Sequence, residues 1–104
     1  MDIAALQTEL RRFADERDWE RFHAPKNLAM ALGVEAAELA EIFQWMTDAE
    51  SRAAHLDPAT REHIADELAD VLLYLLQIAD KTGIDLEQAA KAKLAKNARK
   101  HPAT

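Results

Sequence analysis

Two pairs of acidic residues have the clearest capacity for chemistry in this chain. Glu35 and Glu38 lie in the stretch GVEAAELAEIFQW, and Glu67 and Asp70 lie in DELADVLLYLL. Residues three apart share one side of an α-helix, so each pair can converge on one point. Four carboxylates gathered together cannot all stay ionised without compensating positive charge. Hard divalent cations such as Mg²⁺ or Mn²⁺ supply that charge and prefer oxygen ligands, so the acids indicate a site for one of these ions.

Glu35 lies inside the apolar sector of its helix. It is seven residues after Leu28 and four before Leu39, so at about 100° per residue the three side chains point the same way. An ionised carboxylate in such a sector destabilises the fold unless something pairs with it. Glu38 lies at the edge of the sector, and Glu41 lies further out, where we expect it to be solvated.

The acidic residues also fit a structural ion pair or, less well, a di-iron site. A buried ion pair would be purely structural, and the cations available for it are Arg12, Arg61 and Lys81. A di-iron carboxylate bundle requires a histidine three residues after a glutamate on two helices. Here that position holds Glu38 or Asp70, which disfavours the di-iron interpretation.

Four α-helices are expected to position these residues. Helix start and stop signals, such as a capping aspartate, a first-turn proline and a terminal glycine, mark their ends. The expected helices run from Asp2 to about Glu16, from Pro25 to about Met46, from Pro58 to Gly83 and from Asp85 to Pro102. The stretch TDAESRAAHLD is expected to be a linker with room for one helical turn.

The composition fits an all-α protein of one domain. Apolar residues make up 49% of the 104 residues, with only 2 glycines and 3 prolines. A net charge of -6 disfavours a nucleic-acid polymer as partner, and the absence of cysteine excludes disulfides and thiolate metal sites. The longest apolar run, VLLYLL, is too short to span a bilayer, and the N-terminus has no signal-peptide core. We therefore expect a soluble cytoplasmic protein without a membrane partner.

The third predicted helix indicates a homo-oligomer. Its stripe of Ile64, Leu68, Val71, Leu75 and Ile78 is widened around the helix by further leucines, among them Leu72, Leu73 and Leu76. A helix that is apolar nearly all round must be buried on several sides. A lone bundle of this length could hardly cover it, whereas a second copy would.

The chain resembles the MazG-like, all-α nucleoside triphosphate pyrophosphohydrolases, and within them the dCTP pyrophosphatase branch. GVEAAEL and DELADVLLYLL resemble the family's signature Glu-x-x-Glu…Glu-x-x-Asp. Three further segments resemble the branch in the same order, namely FADERDWERFHAPKNLAMAL, ELAEIFQW and KLAKNARKHP. The resemblance extends from about Leu6 to Pro102 and implies a four-helix MazG-like bundle, with residues 1–104 as a single domain. Many family members have a second glutamate where this chain has Val34, so three acids on this helix are not expected to be needed.

The resemblance also implies a reaction and a cofactor. The expected reaction is Mg²⁺-dependent hydrolysis of dCTP, or a 5-modified form of it, to the monophosphate and pyrophosphate, which sanitises the nucleotide pool. By motif match the metal ligands are Glu35, Glu38, Glu67 and Asp70. Glu38, at the edge of its stripe, is the preferred general base, with Glu35 as the other candidate.

The resemblance assigns six residues to the substrate. Trp19, His23 and Trp45 are expected to form the nucleobase pocket, since a base stacks on an indole. The phosphate- or sugar-contacting residues are expected to be Tyr74, Lys93 and Asn97. No role is expected for His55, His63 or His101, because lone histidines on linkers or helix surfaces are usually solvated.

Two alternatives stay open. In the first, the chain catalyses the same reaction on a different canonical or damaged nucleoside triphosphate. In the second, it is a non-catalytic helical oligomerisation module whose acids are structural.

The resemblance also implies an assembly, since the family is commonly a tetramer made as a dimer of dimers, with sites near subunit interfaces. The last helix, which carries Lys93 and Asn97, would then complete either its own site or that of a neighbour.

Overall fold

The computed structural model of the chain describes residues 1–103, and over that range helices are joined by turns and loops without any strand. The helices are α1 (Ile3–Glu16), α2 (Pro25–Phe43), α3 (Asp48–Ala53), α4 (Pro58–Thr82) and α5 (Leu86–Lys100), with short 3₁₀ turns at Glu20–Phe22 and Ala54–Leu56. The all-α prediction is confirmed. The count of four helices is wrong by one, because the segment predicted as a linker contains α3.

The extra helix has a local cause in the sequence. Thr47 accepts a hydrogen bond from the backbone N–H of Glu50 at 3.1 Å, and the Glu50 carboxylate accepts one from the Thr47 N–H at 2.9 Å. This reciprocal capping box satisfies two amide groups that a helix start leaves without partners. The second predicted helix is also shorter than expected, since α2 ends at Phe43 and the Met46 N–H bonds back to the Phe43 carbonyl at 2.9 Å.

The long helix α4 begins and ends where the sequence predicts. The Asp57 carboxylate accepts from the Thr60 N–H at 3.1 Å, and Pro58 occupies the first turn. Gly83 closes the helix with a φ of 68°, a left-handed conformation that glycine adopts without steric cost. Asp85 then caps α5 by accepting from the Gln88 N–H at 3.1 Å.

The core lies where α1 and α2 pack on α4. Its fully enclosed apolar residues are few, namely Ala14, Leu28, Leu76 and Ala79. The amide of Gln7 on α1 donates to the Leu76 carbonyl of α4 at 2.9 Å, and Arg11 pairs with Asp80 at 3.4 Å. Helix α5 stands apart from this core, because every residue after Leu86 in it is exposed. None of the helices described is long and apolar enough to cross a membrane.

Candidate active site

The packing of α2 on α4 brings three of the predicted metal ligands together. One carboxylate oxygen from each of Glu35, Glu38 and Glu67 lies within 4.8 Å of the other two. Glu38 shares a cleft with His63 and Glu67, whereas Glu35 shares a cavity with Asp70. These neighbours show that the two helices run antiparallel across the acidic residues.

The cluster is deepest at Glu67. This residue is only 8% exposed, Glu35 is half-buried and Glu38 is exposed. The Oε2 atoms of Glu35 and Glu67 are both buried without a hydrogen-bond partner. A buried carboxylate oxygen without a partner destabilises the fold, so the pair needs a proton or a cation.

Without a metal, a proton shared between the two carboxylates would reduce their repulsion. A hydrogen bond to Glu67 is the largest cause that raises the pKa of Glu35 from 4.5 to about 7. Burial, a hydrogen bond to Glu38 and the negative charges of Glu38 and Asp70 act in the same direction. Asp70 therefore lies close enough to influence Glu35, although it is outside the group of three.

The structural alternative of a buried ion pair is not found in residues 1–103. Arg12 pairs with Glu16 at 3.9 Å, and Lys81 pairs with Glu20. No lysine or arginine of this part of the chain forms an ion pair with the clustered carboxylates. The basic group beside them is His63, whose Nε2 lies 3.7 Å from Oε1 of Glu67.

The donor set fits a hard divalent cation. All the candidate ligand atoms are carboxylate oxygens, and two of the residues carry a buried oxygen that lacks a partner. Carboxylate oxygens within 4.8 Å of one another are close enough together for one divalent cation to contact all three residues. Glu35, Glu38 and Glu67 would hold the ion, with Asp70 next to them.

A cavity of about 200 Å³ adjoins the acidic cluster. Glu35 and Asp70 line it together with aromatic side chains. Its remaining lining residues are Leu10, Phe13, Ala14, Trp19, His23, Leu73, Tyr74 and Gln77. The rings of Phe13 and Trp19 meet edge to face, with centroids 5.7 Å apart. A larger cleft of about 740 Å³, between the starts of α1 and α5, contains none of the clustered acids.

The aromatic loop between α1 and α2 is held in place by contacts at several points. Asp18 has a φ of 56°, which turns the chain so that the Trp19 N–H bonds back to the Ala14 carbonyl at 2.9 Å. The Asn27 amide donates to the Phe22 carbonyl at 2.9 Å. An ion pair between Glu20 and Lys81 ties the loop to α4. These contacts hold Trp19 in the wall of the cavity.

Three predicted substrate residues lie in this cavity and three do not. Trp19, His23 and Tyr74 line it. Trp45 follows the C-terminal end of α2, is 90% exposed and lines neither the cavity nor the cleft beside the acids. Lys93 and Asn97 are exposed on α5, and no α5 residue lines these two spaces. Within one chain, the expected pocket of Trp19, His23 and Trp45 is thus incomplete.

Two residues beside the site are not predicted by the sequence patterns. No role is expected for His63, yet it lies next to Glu67 in a cleft of about 420 Å³ shared with Glu38 and Glu41. The spacing of four residues between His63 and Glu67 on one helix is the signal that indicates this contact. Gln77 lines the cavity, and its spacing of seven residues from Asp70 is the corresponding signal.

The relatives found by comparison with known proteins agree with one another. Residues 30–104 match the sequence model of the MazG-like family. The dCTP pyrophosphatase 1 of Homo sapiens is 46% identical over 102 residues, and that of Rattus norvegicus is 45% identical over 101 residues. These matches cover 98% and 97% of this chain, which spans 58% of the length of each relative.

A solved structure agrees with the sequence relatives. A pyrophosphatase from Archaeoglobus fulgidus superposes with a TM-score of 0.88 and 40% sequence identity. The superposition covers 99% of this chain and 94% of the archaeal chain. Together with the match over residues 30–104, this likeness shows that the chain belongs to the MazG-like family.

Proposed function

We propose that the protein hydrolyses a nucleoside triphosphate, dCTP or a 5-modified form of it, to the monophosphate and pyrophosphate. The observation that carries this proposal is the pair of buried, unpartnered carboxylates on Glu35 and Glu67 next to a cavity walled by Trp19. The relatives named dCTP pyrophosphatase 1 support the choice of substrate. Residues 1–104 are proposed as the single domain that carries this activity.

Mg²⁺ is the proposed cofactor, with Mn²⁺ able to replace it. Glu35, Glu38, Glu67 and Asp70 are the proposed ligands, since they offer only oxygen donors. When bound, the ion supplies neutralisation of phosphate charge and makes a nearby water more acidic. Because the cluster alone is strongly negative, a triphosphate would be repelled from it without a cation.

The reaction requires a water oxygen to bond to the α-phosphorus. The bond from that phosphorus to the α–β bridging oxygen breaks, and pyrophosphate leaves with the bonding electrons. A carboxylate takes the proton that the water loses. Glu38 is the proposed acceptor, because it is the exposed member of the cluster and solvent reaches it directly.

The aromatic cavity is the proposed site for the nucleobase. Stacking of a base on an indole contributes about 1–3 kcal/mol, and Trp19 offers its ring in the cavity wall. His23 provides a polar group for the base in the same space. Tyr74 also lines the cavity, and its hydroxyl is the proposed contact to a phosphate. Its volume of about 200 Å³ is below the roughly 300–1,000 Å³ of typical ligand sites, which favours the single ring of a pyrimidine.

A homo-oligomer, proposed as a tetramer, would complete this site. The chain exposes 7942 Å², whereas a compact monomer of this size exposes about 5,900 Å². Its radius of gyration is 16.6 Å, against about 13 Å for a compact domain of similar length. The excess surface is of the order buried per subunit in obligate assemblies.

In an oligomer, the predicted substrate residues that lie outside the cavity would contribute to the site of another subunit. Trp45, Lys93 and Asn97 are exposed within one chain, and we propose that they reach the acidic cluster of a neighbouring subunit. Lysine and asparagine side chains suit phosphate and sugar oxygens. Trp45 would add a second aromatic surface to the base site. This arrangement explains why a tryptophan is left almost fully in solvent in the single chain.

A nucleotide panel in Mg²⁺ tests the proposal, with pyrophosphate scored separately from orthophosphate. Release of pyrophosphate mainly from dCTP or its 5-modified forms is the expected result. Release from another nucleotide would keep the role of the acids and overturn the proposed base. No release from any nucleotide by the folded protein would favour a non-catalytic oligomerisation module.

A further inference from the structure

Gln77 on α4 lines the same cavity as Glu35 and Asp70. It lies seven residues after Asp70 and three after Tyr74, so the three share one face of the helix. At 1.5 Å per residue, Gln77 is about 10 Å further along the helix axis than Asp70. It is half-buried and lines the cavity together with Trp19 and His23.

The orientation of the Gln77 amide is fixed by a neighbouring carbonyl. Its Nε2 donates a hydrogen bond to the Leu73 backbone oxygen at 3.1 Å. Only the NH₂ end of an amide can donate to a carbonyl, so the opposite orientation would place two acceptors against each other. Oε1 is therefore the free end, and over residues 1–103 it accepts no hydrogen bond.

We propose that Gln77 selects the base by accepting a hydrogen bond from its exocyclic amino group. Cytosine presents such a donor, whereas uracil and thymine present a carbonyl oxygen at the same place. A carbonyl facing Oε1 would leave two acceptors unpaired in a half-buried space, which disfavours binding. This inference rests on the proposed function and adds a specificity residue to it.

The other polar groups of the cavity are less suited to this selection. Glu35 and Asp70 are proposed to hold the cation. The Tyr74 hydroxyl can both donate and accept, and so can a neutral histidine through its two nitrogens. These groups can therefore adapt to either an amino group or a carbonyl. Gln77 alone has an amide whose orientation is held by its own helix.

The test compares Gln77→Met with Gln7→Met. Gln7 is a matched control, because its amide also donates to an α4 carbonyl, that of Leu76, but it does not line the cavity. Methionine keeps the unbranched length and removes the amide. For each protein, kcat/KM is measured with dCTP, dUTP and dTTP by pyrophosphate release.

The expected result is a fall of about tenfold in the preference for dCTP over dUTP in Gln77→Met, the size expected for one lost hydrogen bond. Gln7→Met should keep the preference within about twofold of the unsubstituted chain. An unchanged preference in Gln77→Met, with dCTP still hydrolysed, would overturn the inference while leaving the proposed function intact. Failure of the unsubstituted chain to release pyrophosphate from any nucleotide would overturn both.

Discussion

The Oε2 atoms of Glu35 on α2 and Glu67 on α4 are both buried, and neither accepts a hydrogen bond. Two carboxylates in this arrangement repel each other unless a proton or a cation lies between them. The pKa of Glu35 is raised to about 7 mainly because a protonated Glu35 can donate a hydrogen bond to the Glu67 carboxylate. A metal ion would take the place of that proton.

Replacement of Glu35 by glutamine distinguishes an effect on metal binding from an effect on the stability of the fold. Glu35→Gln should abolish the Mg²⁺-induced rise in melting temperature and lower pyrophosphate release by at least about a hundredfold, because a ligand is lost. Without metal, the variant should melt no lower than the unsubstituted chain at pH 8, since one of the repelling charges is gone. Differential scanning fluorimetry with and without Mg²⁺ measures both effects.

Glu62→Gln is the control for this substitution, because Glu62 is exposed on α4 and outside the cluster. It should keep both the thermal shift and the turnover. Unchanged turnover in Glu35→Gln would contradict the assignment of the metal site.

The stability of the metal-free protein should depend on pH through Glu35. Its pKa is raised from 4.5 to about 7 in the folded chain, with the hydrogen bond to Glu67 as the main cause. Between these values the folded state binds more protons than the unfolded state, so the free energy of unfolding falls as pH rises. The contribution is full below about pH 4.5 and is lost through about pH 7.

Urea denaturation of the unsubstituted chain and of Glu35→Gln between pH 4.5 and 8 isolates this contribution. The difference in stability between them should shift in favour of Glu35→Gln as pH rises. A difference that stays constant over this range would show that Glu35 does not titrate there.

Stacking on Trp19 should contribute to nucleotide binding without affecting the metal. Trp19→Ala should raise KM for the nucleotide by about tenfold or more, given about 1–3 kcal/mol for a stacked base. The Mg²⁺ thermal shift should remain, because the acids lie on α2 and α4. Steady-state kinetics and fluorimetry measure the two quantities.

Phe22→Ala, in the same loop, provides the comparison. Phe22 does not line the cavity, and the Asn27 amide contacts its backbone carbonyl rather than its ring. Its KM should therefore change little. An equal rise in KM for both variants would indicate a general effect on the loop instead of stacking.

Local signals make most of the helices predictable. Capping by Asp57, the first-turn Pro58 and the left-handed Gly83 define α4 at both ends, and all three are visible in the sequence. The extra helix α3 differs from the prediction although its capping box is also a local signal. Helix periodicity likewise places Glu35 and Glu38 on one side of α2, because that relationship lies within a single helix.

Relationships between helices cannot be read from the sequence. Glu67 is closer to the centre of the cluster than Asp70, and this follows from how α4 packs on α2. The presence of Gln77 and Trp19 in one cavity also depends on packing between elements. The contact of His63 with Glu67, in contrast, lies within α4 and follows from their spacing of four residues. Trp45, Lys93 and Asn97 lie away from the acids in one chain, which periodicity along a helix does not reveal.

The exposed apolar face of α4 should mediate assembly. Leu68 and Leu75 lie two turns apart on one side and are 52% and 39% exposed. Leu75→Glu would place a charge in the proposed interface, so the assembly should dissociate to smaller species. Size-exclusion chromatography with light scattering measures the mass, and circular dichroism confirms that helicity is kept.

Leu75→Met preserves volume and hydrophobicity, so it should leave the assembly unchanged. If Leu75→Glu had the same mass as the unsubstituted chain, the interface would have to lie elsewhere. A monomeric unsubstituted chain would contradict the proposed oligomer altogether.

Mixed oligomers should reveal whether α5 serves a neighbouring subunit. Glu35→Gln disables the acidic cluster, and Lys93→Ala disables the proposed phosphate contact on α5. If the two groups come from different subunits, a mixed pair has one site with both defects and one site with neither. Mixing and refolding the two inactive variants in equal amounts should therefore restore about a quarter of the original activity, as random pairing predicts. If both groups served the same subunit, every site would carry one defect and the mixture would stay inactive.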